Sequence, residues 1–187
     1  GGGIRNQSSP ARIANCTMAG NSASTQGGAV HNSSSSPSIA QCTVSGNSPD
    51  GIYNLDSDPS IANCILWTNA PTAQVRNADT SSAPRVTSCV IQGGYPGGSN
   101  IITADPLLQS LGDYGGPTPT LRIPVGSPAI DAGTAGPTFS ANDQRGFPRD
   151  AQPDIGACEF QPALVTSDAP NPLPIGGMAS LAAYTDH

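Results

Sequence analysis

The sequence predicts an all-β chain: a right-handed parallel β-helix of about four coils, followed by a C-terminal irregular capping segment. Three observations carry that expectation. One phrase recurs four times in the first hundred residues, its cysteines (Cys16, Cys42, Cys64 and Cys89) standing 26, 22 and 25 residues apart. A fixed period in this range marks a stacked solenoid, each unit burying its apolar face only against its neighbours. Within each copy apolar residues alternate with small or polar ones, which is the strand signal. Finally, 22 glycines and 19 prolines among 187 residues supply turns at a density that leaves little room for helix.

The first coil reads Ile4-Arg5-Asn6, then Ile13-Ala14-Asn15-Cys16-Thr17-Met18-Ala19-Gly20-Asn21. The second repeats it from Val30-His31-Asn32 to Ile39-Ala40-Gln41-Cys42-Thr43-Val44-Ser45-Gly46-Asn47. The third runs from Ile52-Tyr53-Asn54 to Ile61-Ala62-Asn63-Cys64-Ile65-Leu66-Trp67-Thr68-Asn69. The fourth, decayed, runs from Val75-Arg76-Asn77 to Val86-Thr87-Ser88-Cys89-Val90-Ile91. The Asn-to-Cys distance is 10 in three copies and 12 in the last. Each coil thus carries three short extended runs, and neighbouring coils should lie about 4.8 Å apart. A leucine-rich repeat would need a leucine framework, and the four coils hold only Leu55 and Leu66. A calcium-binding β-roll would need a nine-residue glycine-aspartate period, which is absent.

Stacking converts equal positions into columns. Three should face inward: Ile4, Val30, Ile52, Val75; Ile13, Ile39, Ile61, Val86; and Met18, Val44, Leu66, Ile91. Asn15, Gln41, Asn63 and Ser88 fall at a bend, where stacked amides are expected to bond from coil to coil. The cysteine column admits free buried thiols, disulfides or a metal site. Zinc prefers close pairs such as C-x₂-C, and in-register Cβ vectors point alike rather than at each other, so buried free thiols acting as small hydrophobes are expected. Outward beside the first apolar column stand Arg5, His31, Tyr53 and Arg76. That row reads either as a ligand track for a sugar polymer or as a solvated sheet face.

Composition narrows the function classes. Charged residues are 11%, all seven basic groups are arginine, and the net charge is −6. Nucleic acid is disfavoured, since phosphate binding needs clustered basic charge. No apolar run approaches the roughly 20 residues of a membrane span. The apolar share is low enough to suggest disorder, but its periodic placement argues for packed strands. The chain opens on Gly1-Gly2-Gly3 inside the repeat phrase, as expected of a segment cut from something longer.

After Asn100 the repeat ends. Four phrases follow in order: Asp113-Tyr114-Gly115-Gly116-Pro117-Thr118-Pro119-Thr120, Ser127-Pro128-Ala129-Ile130-Asp131-Ala132-Gly133, Asp143-Gln144-Arg145-Gly146, and Asp154-Ile155-Gly156-Ala157-Cys158-Glu159. Together they resemble the choice-of-anchor Q domain, which follows β-helix repeats in large bacterial surface proteins. Cys158 departs from the aromatic more usual there. The resemblance spans residues 101–160, with residues 1–100 matching the preceding repeats, and 161–187 read as a flexible Pro/Gly-rich tail. It implies an extracellular or cell-surface setting and no catalytic role. Physically, 101–160 should cap the solenoid, whose end would otherwise expose apolar rungs and strand edges. Asp131, Asp143, Asp154 and Glu159 beside Arg145 and Arg149 read as an ion-pair scaffold. A Ca²⁺ site is the alternative, though no EF-hand-like spacing is present.

The coil acids Asp50, Asp56, Asp58 and Asp79 are expected in turns, without a clustered acid/base set. No G-x-S-x-G or H-E-x-x-H occurs. The expectation is a non-enzymatic extracellular β-helix module (stalk, adhesin-like or envelope scaffold) with weak polysaccharide contact and no cofactor or metal. The alternative is the C-terminal part of a polysaccharide lyase or glycoside hydrolase whose active site lies in upstream coils.

Overall fold

The computed structural model describes residues 1–70, 73–136 and 139–162; the rest of the stretch read as a tail, from 163 on, lies outside the described residues. Among these the chain holds twelve strands and no helix. Coil one contributes β1 (Ile4–Gln7), β2 (Arg12–Ala14) and β3 (Thr17–Ala19). Coil two contributes β4 (Val30–Ser33), β5 (Ser38–Ala40) and β6 (Thr43–Ser45). Coil three contributes β7 (Asp50–Leu55), β8 (Ser60–Ala62) and β9 (Ile65–Trp67). In coil four β10 (Ala73–Asn77) is followed by β11 (Arg85–Ile91), a single strand pairing with both β8 and β9. A final strand, β12 (Ser99–Ile102), adds to β11. All strand pairs are parallel, one sheet running β1-β4-β7-β10 and the other containing the second and third runs of each coil. This is a parallel β-solenoid of about four coils, as the repeat predicts.

Three left-handed corners close each of the first three coils. In coil one these are Ser8, Asn15 and Gly20, with φ of 50°, 51° and 66°. Ser34, Gln41 and Gly46 repeat them, then Asp56, Asn63 and Thr68. Asn and Gly enter this region most readily and hold four of these nine corners, Asn15, Gly20, Gly46 and Asn63. Ser88 keeps the corner in coil four, with φ of 49°.

The registers reproduce the three inward columns. Ile4 pairs with Val30, Val30 with Ile52 and Ile52 with Val75. Ile39 and Ile61 of the second column, Val44 and Leu66 of the third, are fully buried. The four cysteines occupy one column as free thiols, Cys42, Cys64 and Cys89 buried and Cys16 partly so. Each Sγ lies within hydrogen-bond distance of the carbonyl two residues before it. The Cys16 thiol is pushed far above its ordinary pKa, first by its contact with Cys42 and then by burial. Burial raises Cys64 in the same direction. Groups held as thiols are poor nucleophiles and poor metal ligands.

The amide ladder does not form where the bend predicts it. Two interior columns carry amides instead. Asn6, Asn32, Asn54 and Asn77 pass Nδ2–H···Oδ1 bonds up the stack at 2.9, 2.9 and 3.0 Å, and Asn77 ends on the Tyr95 hydroxyl. Asn21 donates to Asn47, Asn47 to Asn69 and Asn69 to Gln74, at 2.9, 2.8 and 2.7 Å. The corner residues turn outward and bind the C-terminal segment. Asn63 and Thr134 exchange two hydrogen bonds, Oδ1 accepting from the Thr134 N–H at 2.9 Å and Nδ2 donating to its carbonyl at 2.8 Å. Gln41 does the same with Ser140, and Asn15 donates to the Asn142 carbonyl. A left-handed corner points its side chain away from the coil, so the carboxamide pairs with peptide groups outside the stack.

The cap is consequently lateral. From β12 the chain turns back along the side of the solenoid, Thr134, Ser140 and Asn142 meeting coils three, two and one in turn. Outward-facing Ile65 and Val90 of the third runs are buried under Ile123, Ala129 and Ile155, forming a second apolar cluster. Gly156, with φ of 111°, permits this approach: a Cβ there would stand 2.8 Å from Ile65 Cδ1 and 3.0 Å from Thr43 Oγ1.

Candidate ligand-binding face

The first sheet sets Arg5, His31, Tyr53 and Arg76 on consecutive rungs, in register. The column is not four independent side chains. His31 meets the Tyr53 ring edge-on, centroids 4.9 Å apart, and the Arg76 guanidinium lies 5.4 Å from the Tyr53 centroid. Tyr53 keeps only 3% of its surface exposed. Within the row read as a ligand track or a solvated face, Tyr53 is covered by its neighbours and offers no open ring face. Burial, and then neighbouring positive charge including Arg5, lower the His31 pKa below its ordinary value. At neutral pH the side-chain cations of this column are Arg5, exposed and hydrogen-bonded to Gln7 at 3.2 Å, and Arg76 with 39% of its side chain exposed. They stand three rungs apart, about 14 Å. That spacing is too wide to clamp one anion and suits two anionic groups on an extended polymer.

Asp50 was expected in a turn, yet it opens β7 and is fully buried. Its Oδ2 accepts from the Gly27 N–H at 3.3 Å and faces Arg76 Nη1 at 3.8 Å, while Oδ1 has no hydrogen-bond partner among the described residues. The signal was present: the Asp50-Gly51-Ile52 phrase stands where Gly28-Ala29-Val30 leads into β4 in the coil before. Asp50 fixes the Arg76 end of the column electrostatically.

The acidic and basic residues of the C-terminal segment come together away from this face. Asp143 Oδ2 receives Arg145 Nε–H and Nη2–H at 2.9 and 2.7 Å and the Glu159 N–H, while Oδ1 receives the Arg145 and Phe147 N–H groups. Arg145 also donates to the Glu159 carbonyl. Arg149 pairs with Glu159 at 3.1 Å and reaches Asn15 on the first coil. Asp154 accepts from the Asp131 and Phe160 N–H groups. Asp131 itself is exposed and joins the knot through its backbone rather than its carboxylate. Asp143 with Arg145 and Glu159 with Arg149 are paired, the condition on which buried charge is tolerated. Among the described residues, by contrast, Asp154 has backbone N–H donors but no cation, and Arg149 Nε has no hydrogen-bond partner. Among the described residues no group of three or more His, Cys, Asp or Glu is arranged to hold a metal ion, and no helix is long and apolar enough to cross a membrane.

Comparison with protein-family models and with curated proteins finds no match to this chain.

Proposed function

We propose that this chain is a non-enzymatic module of a secreted or surface-borne bacterial protein: a short β-solenoid stalk or adhesin-like unit touching polysaccharide along its first sheet. The four ordered phrases between 101 and 160 support the setting, through their resemblance to the choice-of-anchor Q domain. The observation that carries the binding is the in-register column with Arg5 and Arg76 three rungs apart, Arg5 exposed and Arg76 partly exposed beside Asp50. With Tyr53 covered, contact is ionic rather than stacked, which favours acidic glycans. An open sheet face buries little ligand, so affinity should be weak, roughly millimolar. The other acid and base groups favour a scaffold, because Asp143, Arg145, Arg149, Asp154 and Glu159 are consumed in holding the C-terminal segment.

The test is a binding screen of the purified chain against acidic and neutral polysaccharides, with and without Ca²⁺, in parallel with a reducing-end assay. Retention of an acidic polymer that weakens at high salt and is lost in the Arg5→Ala/Arg76→Ala double variant is expected. Cleavage of any polymer would overturn the scaffold reading; binding indifferent to the double variant would dismiss this face.

A further inference from the structure

We propose that the groove beside Trp67 is a second binding site, on a different sheet, for the ring of a neutral saccharide. The groove is open to solvent on one side and has a volume of about 440 Å³, within the usual range for a small-ligand cleft. One wall is the solenoid: Ser45, Trp67 and Thr68; the other is the returning segment: Asp105, Leu107 and Gln109. Trp67 ends β9 and sits in register above Ser45, which sits above Ala19, so small side chains leave a shelf on the two rungs below the indole. The indole is half-buried, anchored against the Ile65–Val90 cluster with Leu108 beside it.

The polar groups are arranged for hydroxyls. Asp105 Oδ1 is taken by the Leu107 N–H at 2.8 Å, leaving Oδ2 without an intramolecular partner among the described residues. Gln109 Oε1 accepts from Arg122 at 3.1 Å, which leaves its Nε2–H₂ as an unclaimed donor. The Thr68 hydroxyl donates to the Trp67 carbonyl at 2.7 Å and meets the Ser45 hydroxyl at 3.0 Å, which leaves both oxygens of this wall able to accept. An acceptor, a donor and two hydroxyls around one aromatic wall match a ring with an apolar face and a hydroxylated rim. The Asp105 carboxylate repels an acidic sugar, and Arg122 is occupied by Gln109 and the Tyr114 ring. One indole without further aromatics does not make a cage for a quaternary ammonium ion.

This site is independent of the Arg5–Arg76 face, so either can fail without the other. Trp67 is the only tryptophan of the chain, and its fluorescence reports directly on the groove. The full chain is titrated with cellobiose, maltose and chitobiose, and in parallel with tetramethylammonium chloride and digalacturonate. The expected result is a saturable emission change with at least one neutral disaccharide. It weakens about tenfold or more in Ser45→Leu, which fills the shelf, and in Asp105→Asn, which keeps an oxygen for the Leu107 N–H and removes the carboxylate acceptor. It is unchanged in Arg5→Ala/Arg76→Ala. Emission insensitive to all three neutral sugars would overturn the proposal. So would a response unaffected by Asp105→Asn, or one confined to tetramethylammonium or digalacturonate.

Discussion

Asp154 shows how one buried acid sets a pH dependence. It is 2% exposed, and burial raises its pKa to about 6 against the opposing hydrogen bonds from Asp131 and Phe160, with the nearby Glu159 charge adding to the rise. A carboxyl whose folded pKa exceeds its unfolded value binds its proton more tightly when folded. Its contribution to stability is therefore neutral below the unfolded value near 4, falls as pH rises through the window up to about 6, and stays unfavourable above it. The full penalty is roughly 2–3 kcal/mol. In Asp154→Asn nothing titrates at this position. Urea unfolding at a series of pH values should therefore show the variant gaining on the parent between about pH 4 and 6.5, by roughly that amount. A difference independent of pH would mean that Asp154 titrates normally.

The interior amide columns act at the level of the strand stack. A parallel solenoid already satisfies its backbone between coils, yet its interior must hold the polar side chains that recur in every repeat. Asn47 is 1% exposed; its Oδ1 takes two hydrogen bonds from Asn21, and its Nδ2 donates to Asn69 Oδ1 and the Met18 carbonyl. Asn47→Ala removes all of these at once and strands buried partners on both neighbouring coils. The expected cost is about 2–4 kcal/mol. Asn21→Ala, at the less buried end of the same column, should cost less than half as much. Denaturant midpoints decide this; equal losses would show that the ladder stabilises only pair by pair.

At the scale of the molecule, the C-terminal segment is a flank rather than a lid. It covers Ile65 and Val90, which face outward from the third runs, and it clips to the left-handed corners of coils one to three. A chain ending at Asn100 would present those residues to water as a contiguous apolar strip beside open strand edges. Such a truncation is expected to bind a hydrophobic dye, to self-associate in sedimentation experiments, and to melt below the parent. A monomeric, dye-silent 1–100 fragment would show that the coils bury their core without the flank.

Coil number, strand positions and the three inward columns were legible in the sequence, because period and alternation map directly onto a stacked backbone. Ile4, Val30, Ile52 and Val75 could be aligned by eye and fall in register. One corner was legible too, since Asn15, Gln41, Asn63 and Ser88 fall at the expected bend. What the tertiary structure alone decided is direction and depth. The corner amides face out, since a left-handed residue reverses the side-chain direction of the strand beside it, and the C-terminal segment supplies their partners. Asp50 is buried and Tyr53 covered because neighbouring coils bring Arg76 and His31 against them from 22 to 26 residues away. The Trp67 groove exists only because the segment after β12 returns along the solenoid. A linear repeat specifies which residues share a column; only the folded chain determines what lies across from that column.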